Sequence, residues 1–281
     1  MKKKQISNVF VHIMLSFLVL VWLVPIAWIV LTSFRAQKGS YSATILPKAY
    51  TLSNYTRLFA ETDIFNFPQW FMNTFIVAVF SCMISSFFIL SVSYAMSRLR
   101  FKMRKPFMNV ALILGMFPGF MSMIAVYYIL KGIGLASGPL KLVALVLIYS
   151  AGSGAGFFVQ KGFFDTISKS IDEAAIIDGC TKWQVFYKIT IPLSKPIIVQ
   201  TVLNAFIAPW IDFIFAKVII GSEAKYYTVA IGLWNMLTRE NITNFYTRFM
   251  AGAVLVSIPI SLLFMKLQKY YQQTGAGAVK G

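Results

Sequence analysis

Six long apolar runs, separated by short polar or basic stretches, set the pattern of this chain: Val9–Leu31, Asn73–Met96, Phe107–Leu130, Leu142–Val159, Ile197–Ile220 and Met250–Leu267. A bilayer core of about 30 Å takes roughly 20 apolar helical residues. Each run therefore predicts a membrane-crossing helix, the short fourth and sixth borrowing residues from their flanks. The predicted fold class is an all-α integral membrane protein of six transmembrane helices, a single transmembrane domain over residues 1–281. Pro25, Pro118, Pro209 and Pro259 fall inside these runs. Such breakers are tolerated where neighbouring helices or waters satisfy the freed backbone groups. Gly115–Gly119 and Gly152–Gly156 fit the G-x-x-x-G spacing that lets helices approach closely, a pattern also frequent by chance.

Composition narrows the class. Hydrophobic side chains make up 58% of the chain and charged ones 12%, about half of what a soluble domain uses to dress its surface. Twenty-six Phe, 13 Tyr and 6 Trp exclude disorder. Two cysteines make no disulfide framework, and Cys82 and Cys180 read as reduced thiols. The start Met1-Lys2-Lys3-Lys4 looks like that of a signal peptide. The apolar run behind it is too long, however, and no small-x-small site follows Phe34, so an uncleaved anchor is expected.

The formal net charge of +17 invites a nucleic-acid reading. The basic residues instead sit in short runs beside apolar segments, as cytoplasmic loops do, so no nucleic-acid partner is expected. With the N-terminus inside, 16 of the 26 Lys and Arg fall on the cytoplasmic side, including the tight cluster Arg98–Lys105. Both termini are then cytoplasmic. The external segments are Arg35–Trp70, a turn around Lys131–Lys141, and Gly221–Phe249.

The longest cytoplasmic insertion, about residues 161–196, spells two short helices. Ser170-Ile171-Asp172-Glu173 fits a capping box, and Gly179 supplies a left-handed stop. Thr181-Lys182-Trp183-Gln184 fits a second box, with Pro192 and Pro196 as the halt. A compact knob is expected: helix, glycine turn, helix.

Glu173-Ala174-Ala175, three residues, Gly179, nine residues, then Ile189-Thr190-Ile191-Pro192 resembles the EAA loop of ABC importer permeases, with Ile191 where leucine is usual. Phe71-Met72-Asn73-Thr74 and Tyr94-Ala95-Met96-Ser97-Arg98-Leu99-Arg100-Phe101 resemble the carbohydrate-uptake subgroup. Trp210-Ile211-Asp212-Phe213, Tyr226-Tyr227-Thr228-Val229-Ala230 and Gly275–Gly281 resemble its MalG-like maltose/maltodextrin branch. Cys180, often alanine, and Trp210-Ile211-Asp212, often Trp-Asn-Glu, depart from the commoner pattern.

The resemblance implies a type I importer permease in a bacterial cell membrane, paired with a homologous second permease, two copies of an ABC ATPase and an extracytoplasmic sugar-binding protein. Maltose or maltodextrin is the first substrate expectation, with galacto-oligosaccharides or another di- or oligosaccharide as the alternative. It assigns ATPase coupling to Glu173, Ala174, Ala175, Asp178, Gly179, Ile191 and Pro192. It suggests binding-protein contacts at Thr238, Arg239, Glu240 and Asn241, and C-terminal ATPase contacts at Gly277, Lys280 and Gly281 in a tail spanning residues 268–281.

The residues speak separately to the translocation path. Asp212, Asn204 on roughly the same face, and Trp210 are its candidates, because a carboxylate in a membrane segment normally faces protein or water. Packing by Trp210 and a structural pair for Asp212 are the bland alternatives. His12 is read as neutral and buried in the first span. No G-x-x-x-x-G-K-[ST] phosphate loop is present, so ATP and Mg belong to a partner and no cofactor is expected on this chain. No nucleophile–base pair or metal set argues for an enzyme. An ion-coupled carrier would need more intramembrane ionisable groups than Asp212 and His12.

Overall fold

In a computed structural model the chain is described over residues 2–40, 44, 46–117, 119–151 and 156–277. The elements are α1 (Lys2–Ser33), α2 (Ser53–Ala60), α3 (Phe67–Arg98), α4 (Arg104–Gly115), α5 (Gly119–Gly132), α6 (Leu140–Ala151) and α7 (Phe157–Thr166). There follow α8 (Lys169–Ile177), α9 (Lys182–Val185), α10 (Ile191–Leu193), α11 (Lys195–Ile211), α12 (Ile214–Ile220), α13 (Val229–Met236) and α14 (Ile242–Gly277). A π-helical stretch, Phe186–Thr190, joins α9 to α10, and a 3₁₀ turn covers Ala224–Tyr226.

The first, second and sixth predicted spans are single helices, α1, α3 and α14, each long and apolar enough to cross a bilayer. The other three are split. The third breaks at Met116–Phe117, just ahead of Pro118, because a residue before proline is driven out of the helical region. The fourth divides into α6 and α7, and most of its Gly152–Gly156 motif lies outside the described residues. The fifth breaks at Asp212–Phe213 between α11 and α12. Pro259, by contrast, is carried inside a continuous α14. That helix also runs to Gly277, where glycine-rich composition alone reads as a flexible end.

Two compact units form within the described residues. One comprises the chain up to Pro68 with Gly232–Ile258. Its centre is buried Asn54, whose Nδ2 donates to the carbonyls of Ser33 and Arg35 at 2.9 Å each. Ser33 ends α1, where helix geometry leaves carbonyls unpaired, and Arg35 lies two residues beyond it. Asn54 Oδ1 accepts from Thr247 Oγ1 of α14 at 3.0 Å. Gly252 lets α14 approach closely: a Cβ there would lie 2.6 Å from Leu233 Cδ2 and 3.2 Å from Phe67 Cε2. The Gly221–Phe249 segment is therefore mostly helical, holding α13 and the first turns of α14, where sequence suggested a loop.

The other unit comprises Gln69–Ile231 and the chain from Pro259 on. Its axis is α3, which buries Thr74, Val77, Ala78, Ser81, Ser85, Ser93 and Ser97 along one stripe. Small residues at such spacing let neighbouring helices pack closely. His12 lies outside any core: it is exposed on α1, as are all its neighbours from Phe10 to Ile26. The expectation that His12 is buried fails because none of the described chain covers that part of α1.

Candidate functional site

The knob forms around a closed polar turn. Ser168, extended at φ −58° and ψ 132°, caps α8 by accepting from the Ser170 N–H at 3.3 Å. The cap thus sits two residues ahead of the expected Ser170, whose hydroxyl is bonded to that of Ser168 at 2.7 Å. The Glu173 side chain is released from capping and, among the described residues, makes no hydrogen bond or ion pair. At the other end, Cys180 N–H donates to Ala175 O at 2.9 Å and Gly179 N–H to Ile176 O at 3.0 Å. This six-to-one and five-to-two pairing is the Schellman arrangement. It requires the left-handed φ of +89° found at Gly179.

Thr181 and Gln184 form the expected reciprocal box, Gln184 N–H to Thr181 Oγ1 at 3.3 Å and Thr181 N–H to Gln184 Oε1 at 2.7 Å. Pro192 does not halt the second helix. The π-helical Phe186–Thr190 widens the turn, Ile191 N–H reaches back to Phe186 O, and Pro192 falls in the first turn of α10, where its missing N–H costs little. The stop comes at Ser194. There the run Lys182–Leu193 bends by 86° into α11, which carries Pro196 in its own first turn.

Of the predicted coupling residues, Glu173, Ala174, Asp178, Gly179 and Pro192 are exposed, Ala175 is buried and Ile191 half-buried. Ile177 and Trp183 add apolar surface on the same knob, 85% and 60% exposed. Behind it, Leu90, Tyr94, Phe164, Phe186 and Ile197 form a buried cluster against which Ile191 packs.

Polar ties from the last turns of α3 fasten this seat. Tyr94 OH donates to Lys182 O at 3.2 Å and Ser97 Oγ to Asp165 Oδ1 at 2.5 Å. Arg98, with its side chain 4% exposed, donates from one Nη to the carbonyls of Phe164 and Ile167 at 2.8 Å each. Its Nε lies 3.2 Å from Asp172 Oδ2 of α8. Burial would raise the Asp165 pKa. Hydrogen bonds from Lys161 and Ser97, with the charges of Lys161 and Arg104, more than offset this and hold it below the usual carboxylate range.

Around the fifth span, Asp212 is half-buried and fully engaged. Its oxygens accept from Tyr149 OH at 2.7 Å and from the N–H groups of Phe215 and Ala216 at 3.1 and 3.2 Å, capping α12. Trp210 is buried, with the rings of Phe71 and Phe206 at 5.2 and 6.0 Å, while Asn204 is exposed. Sequence reasoning missed Tyr149, Lys141 and Lys217. Lys141, counted as an external charge, is buried; its Nζ donates to Ile220 O at 2.9 Å and pairs with Glu223. Lys217 lies inside the fifth apolar run with its Nζ 4.7 Å from the centre of the Tyr227 ring. An isolated charge in such a run was the available signal.

Thr238–Asn241 form a tight turn, with Asn241 Nδ2 donating to Asn235 O and Thr238 Oγ1, and Arg239 and Glu240 exposed. Gly277 ends α14, and Lys280 and Gly281 lie outside the described residues.

Residues 88–274 match the family described as "Binding-protein-dependent transport system inner membrane component". The galacto-oligosaccharides transport system permease protein GanQ of Bacillus subtilis is 32% identical over 99% of this chain and 98% of its own. The maltodextrin transport system permease protein MdxG of the same organism is 30% identical over 99% and 98%. A solved chain from a bacterial ABC transporter that imports the acidic polysaccharide alginate superposes with a TM-score of 0.77 at 23% identity, covering 96% of this chain and 98% of that one. That likeness shows the importer-permease fold.

Proposed function

The chain belongs to the family of binding-protein-dependent transport system inner membrane components, and from that premise we propose that it is the permease subunit of an ATP-driven oligosaccharide importer. It is a transport subunit and not an enzyme, ATP hydrolysis falling to a separate ATPase. Malto-oligosaccharides and galacto-oligosaccharides fit equally as cargo, since relatives of both kinds match over nearly the whole chain.

The observation that carries the mechanism is the knob: an exposed Glu173 and Ile177 on a helix–glycine–helix unit seated on α3. Two ATPases closing on ATP and Mg would draw in such knobs, one from this chain and one from a homologous second permease. Glu173, whose side chain is held by nothing among the described residues, would pair with an ATPase arginine in a charge-assisted bond of fixed geometry. Ala174, Asp178 and Pro192 lie on the exposed surface with it, and Ala175 and Ile191 fix the knob to its seat. Gly277, Lys280 and Gly281 follow as further ATPase contacts.

Asp212 braces the break in the fifth span, while Asn204 and Trp210 flank the path. Thr238–Asn241 serve an extracytoplasmic sugar-binding protein. The excess of Lys and Arg on alternate segments supports a multi-pass chain with both termini in the cytoplasm of a bacterial cell. Ion coupling is disfavoured, because Asp212 is already committed to Tyr149 and to two backbone N–H groups.

The test is a pull-down of the chain from native membranes in mild detergent, with mass spectrometry of what accompanies it. A homologous permease, a phosphate-loop ATPase and a sugar-binding protein are expected, and the ligand of the last names the cargo. The chain alone, with uptake surviving ATP depletion, would contradict the reading.

A further inference from the structure

Two sets of polar ties, at opposite ends of one unbroken helix, have no part in the mechanism above. At its C-terminal end α3 holds the knob through Tyr94, Ser97 and Arg98. At its N-terminal end it grips the segment that follows α12. Asn73 Nδ2 donates to Lys225 O at 2.9 Å and Tyr227 O at 3.0 Å, while its Oδ1 accepts from Gln69 Nε2 at 3.0 Å and is thereby oriented. Trp70 Nε1 donates to Ala224 O at 3.2 Å, and Thr74 Oγ1 accepts from Val229 N–H at 2.7 Å. The motifs Phe71–Thr74 and Tyr226–Ala230, about 150 residues apart in sequence, are one assembly.

Between Thr74 and Arg98 the helix is continuous. At 1.5 Å per residue it spans about 36 Å, more than the hydrocarbon core. It contains no proline after Pro68, and its mid-section is fastened by Cys82 Sγ to Val202 O and by Ser93 Oγ to Phe157 O. A buried guanidinium that caps two carbonyls and faces Asp172 cannot slip without leaving charge unpaired in a dry site. A side-chain amide bonded to two carbonyls is similarly committed. The knob and the Ala224–Val229 segment are therefore joined by a stiff element tied at each end.

We propose that α3 is a push-rod: displacement of the knob by the ATPase is delivered through Arg98, along α3, to Asn73 and thence to the external Ala224–Val229 segment. This deepens the permease reading and rests on it. Arg98 and Asn73 are positioning residues that act in series.

The test uses the full complex purified with its ATPase. Lys225, exposed beside the carbonyl that Asn73 holds, is replaced by cysteine in a Cys82→Ser, Cys180→Ala background, in which serine keeps a donor toward Val202 O, and its maleimide labelling rate is read with and without ATP-vanadate trapping. Nucleotide should change that rate, and Asn73→Ala or Arg98→Gln should each shrink the change about fivefold or more, with the ATPase still co-purifying. Because the ties act in series, the double variant should respond no less than the worse single one. A merely structural role would lower the yield of complex and leave the nucleotide response of what assembles intact. If Arg98→Gln fails to assemble, Arg98→Lys takes its place: it retains the positive charge, but its one nitrogen cannot face Asp172 and hold the two carbonyls as separate guanidinium nitrogens do.

A full response in both single variants overturns the inference, as do losses that multiply, or a labelling rate indifferent to nucleotide in a complex that holds its ATPase. In each of those cases the permease reading survives. If no ATPase accompanies the unsubstituted chain, that reading fails and the push-rod with it.

Discussion

The helices α1 and α3 are each 32 residues long and dominated by apolar side chains, yet they live differently. Among the described residues nothing buries Phe10–Ile26 of α1, whereas about a third of the most apolar stretch of α3 is buried. The distinguishing feature is small polar residues. Along α3, Thr74, Ser81, Ser85, Ser93 and Ser97 recur near helical spacing and are buried, whereas Phe10–Ile26 of α1 offers bulky apolar groups on all sides. A helix that must touch protein carries side chains small enough to admit a neighbour and polar enough to bond it. One that meets lipid or another subunit needs only apolar bulk. Apolar length shows that a helix can cross a membrane; the small polar stripe shows which one is held by its own chain.

The sharpest way to break this contrast is to overfill the stripe. Ser93 is fully buried, and its hydroxyl bonds Ile89 O at 2.6 Å and Phe157 O at 3.0 Å. Ser93→Leu should destabilise the folded chain by about 3 kcal/mol, combining steric overpacking with an orphaned carbonyl. Leu20→Ala, in the exposed Phe10–Ile26 stretch of α1, should stay within about 0.5 kcal/mol. Thermal unfolding in detergent compares the two directly.

Next in size is the brace in the fifth span. Asp212→Ala removes a helix cap and the acceptor of Tyr149 and should cost about 2 kcal/mol, with Asp212→Asn milder because an amide oxygen still caps. Smaller still is the knob's turn. A Cβ on Gly179 would meet nothing within 4 Å, so the penalty there is backbone strain alone. Gly179→Val should cost about 1–2 kcal/mol and lower uptake per ATP hydrolysed, while Gly179→Asn, which tolerates a left-handed φ, should stay close to the parent in both.

The smallest effect concerns pH. The Asp165 pKa is depressed in the folded chain, so its stabilising ties to Lys161 and Ser97 are fully present above the unfolded value near 4. They are lost as pH falls through the lower folded value. Asp165→Asn should flatten the acid limb of the stability curve below about pH 4, as a pH series of unfolding midpoints would read.

Much of the site was legible because local chemistry writes it. Gly179 announces its turn, and Thr181 with Gln184 announces a cap. The first cap went to Ser168 because two serines stand two residues apart, and composition does not choose between them. The break before Pro118 follows from sequence, whereas that at Asp212 needs Tyr149, which lies 63 positions away. Counting Lys and Arg assigns a side of the membrane but not a depth, so the burial of Lys141 was invisible, and Lys217 was marked only by its place in an apolar run and not by its partner Tyr227. The long-range partners of Asn73, Thr74 and Arg98 were equally so. These residues stood out only as parts of family motifs until folding brought their partners beside them.

On the proposed mechanism the knob, rather than any other exposed apolar surface of this chain, receives the ATPase. Ile177 on the knob and Trp22 on α1 are 85% and 74% exposed and make a matched pair. A photoreactive amino acid at each position, irradiated in native membranes, tests the claim directly. A cross-link from position 177 to a phosphate-loop ATPase is expected, and none to that protein from position 22. An ATPase adduct at position 22 and none at position 177 would contradict it.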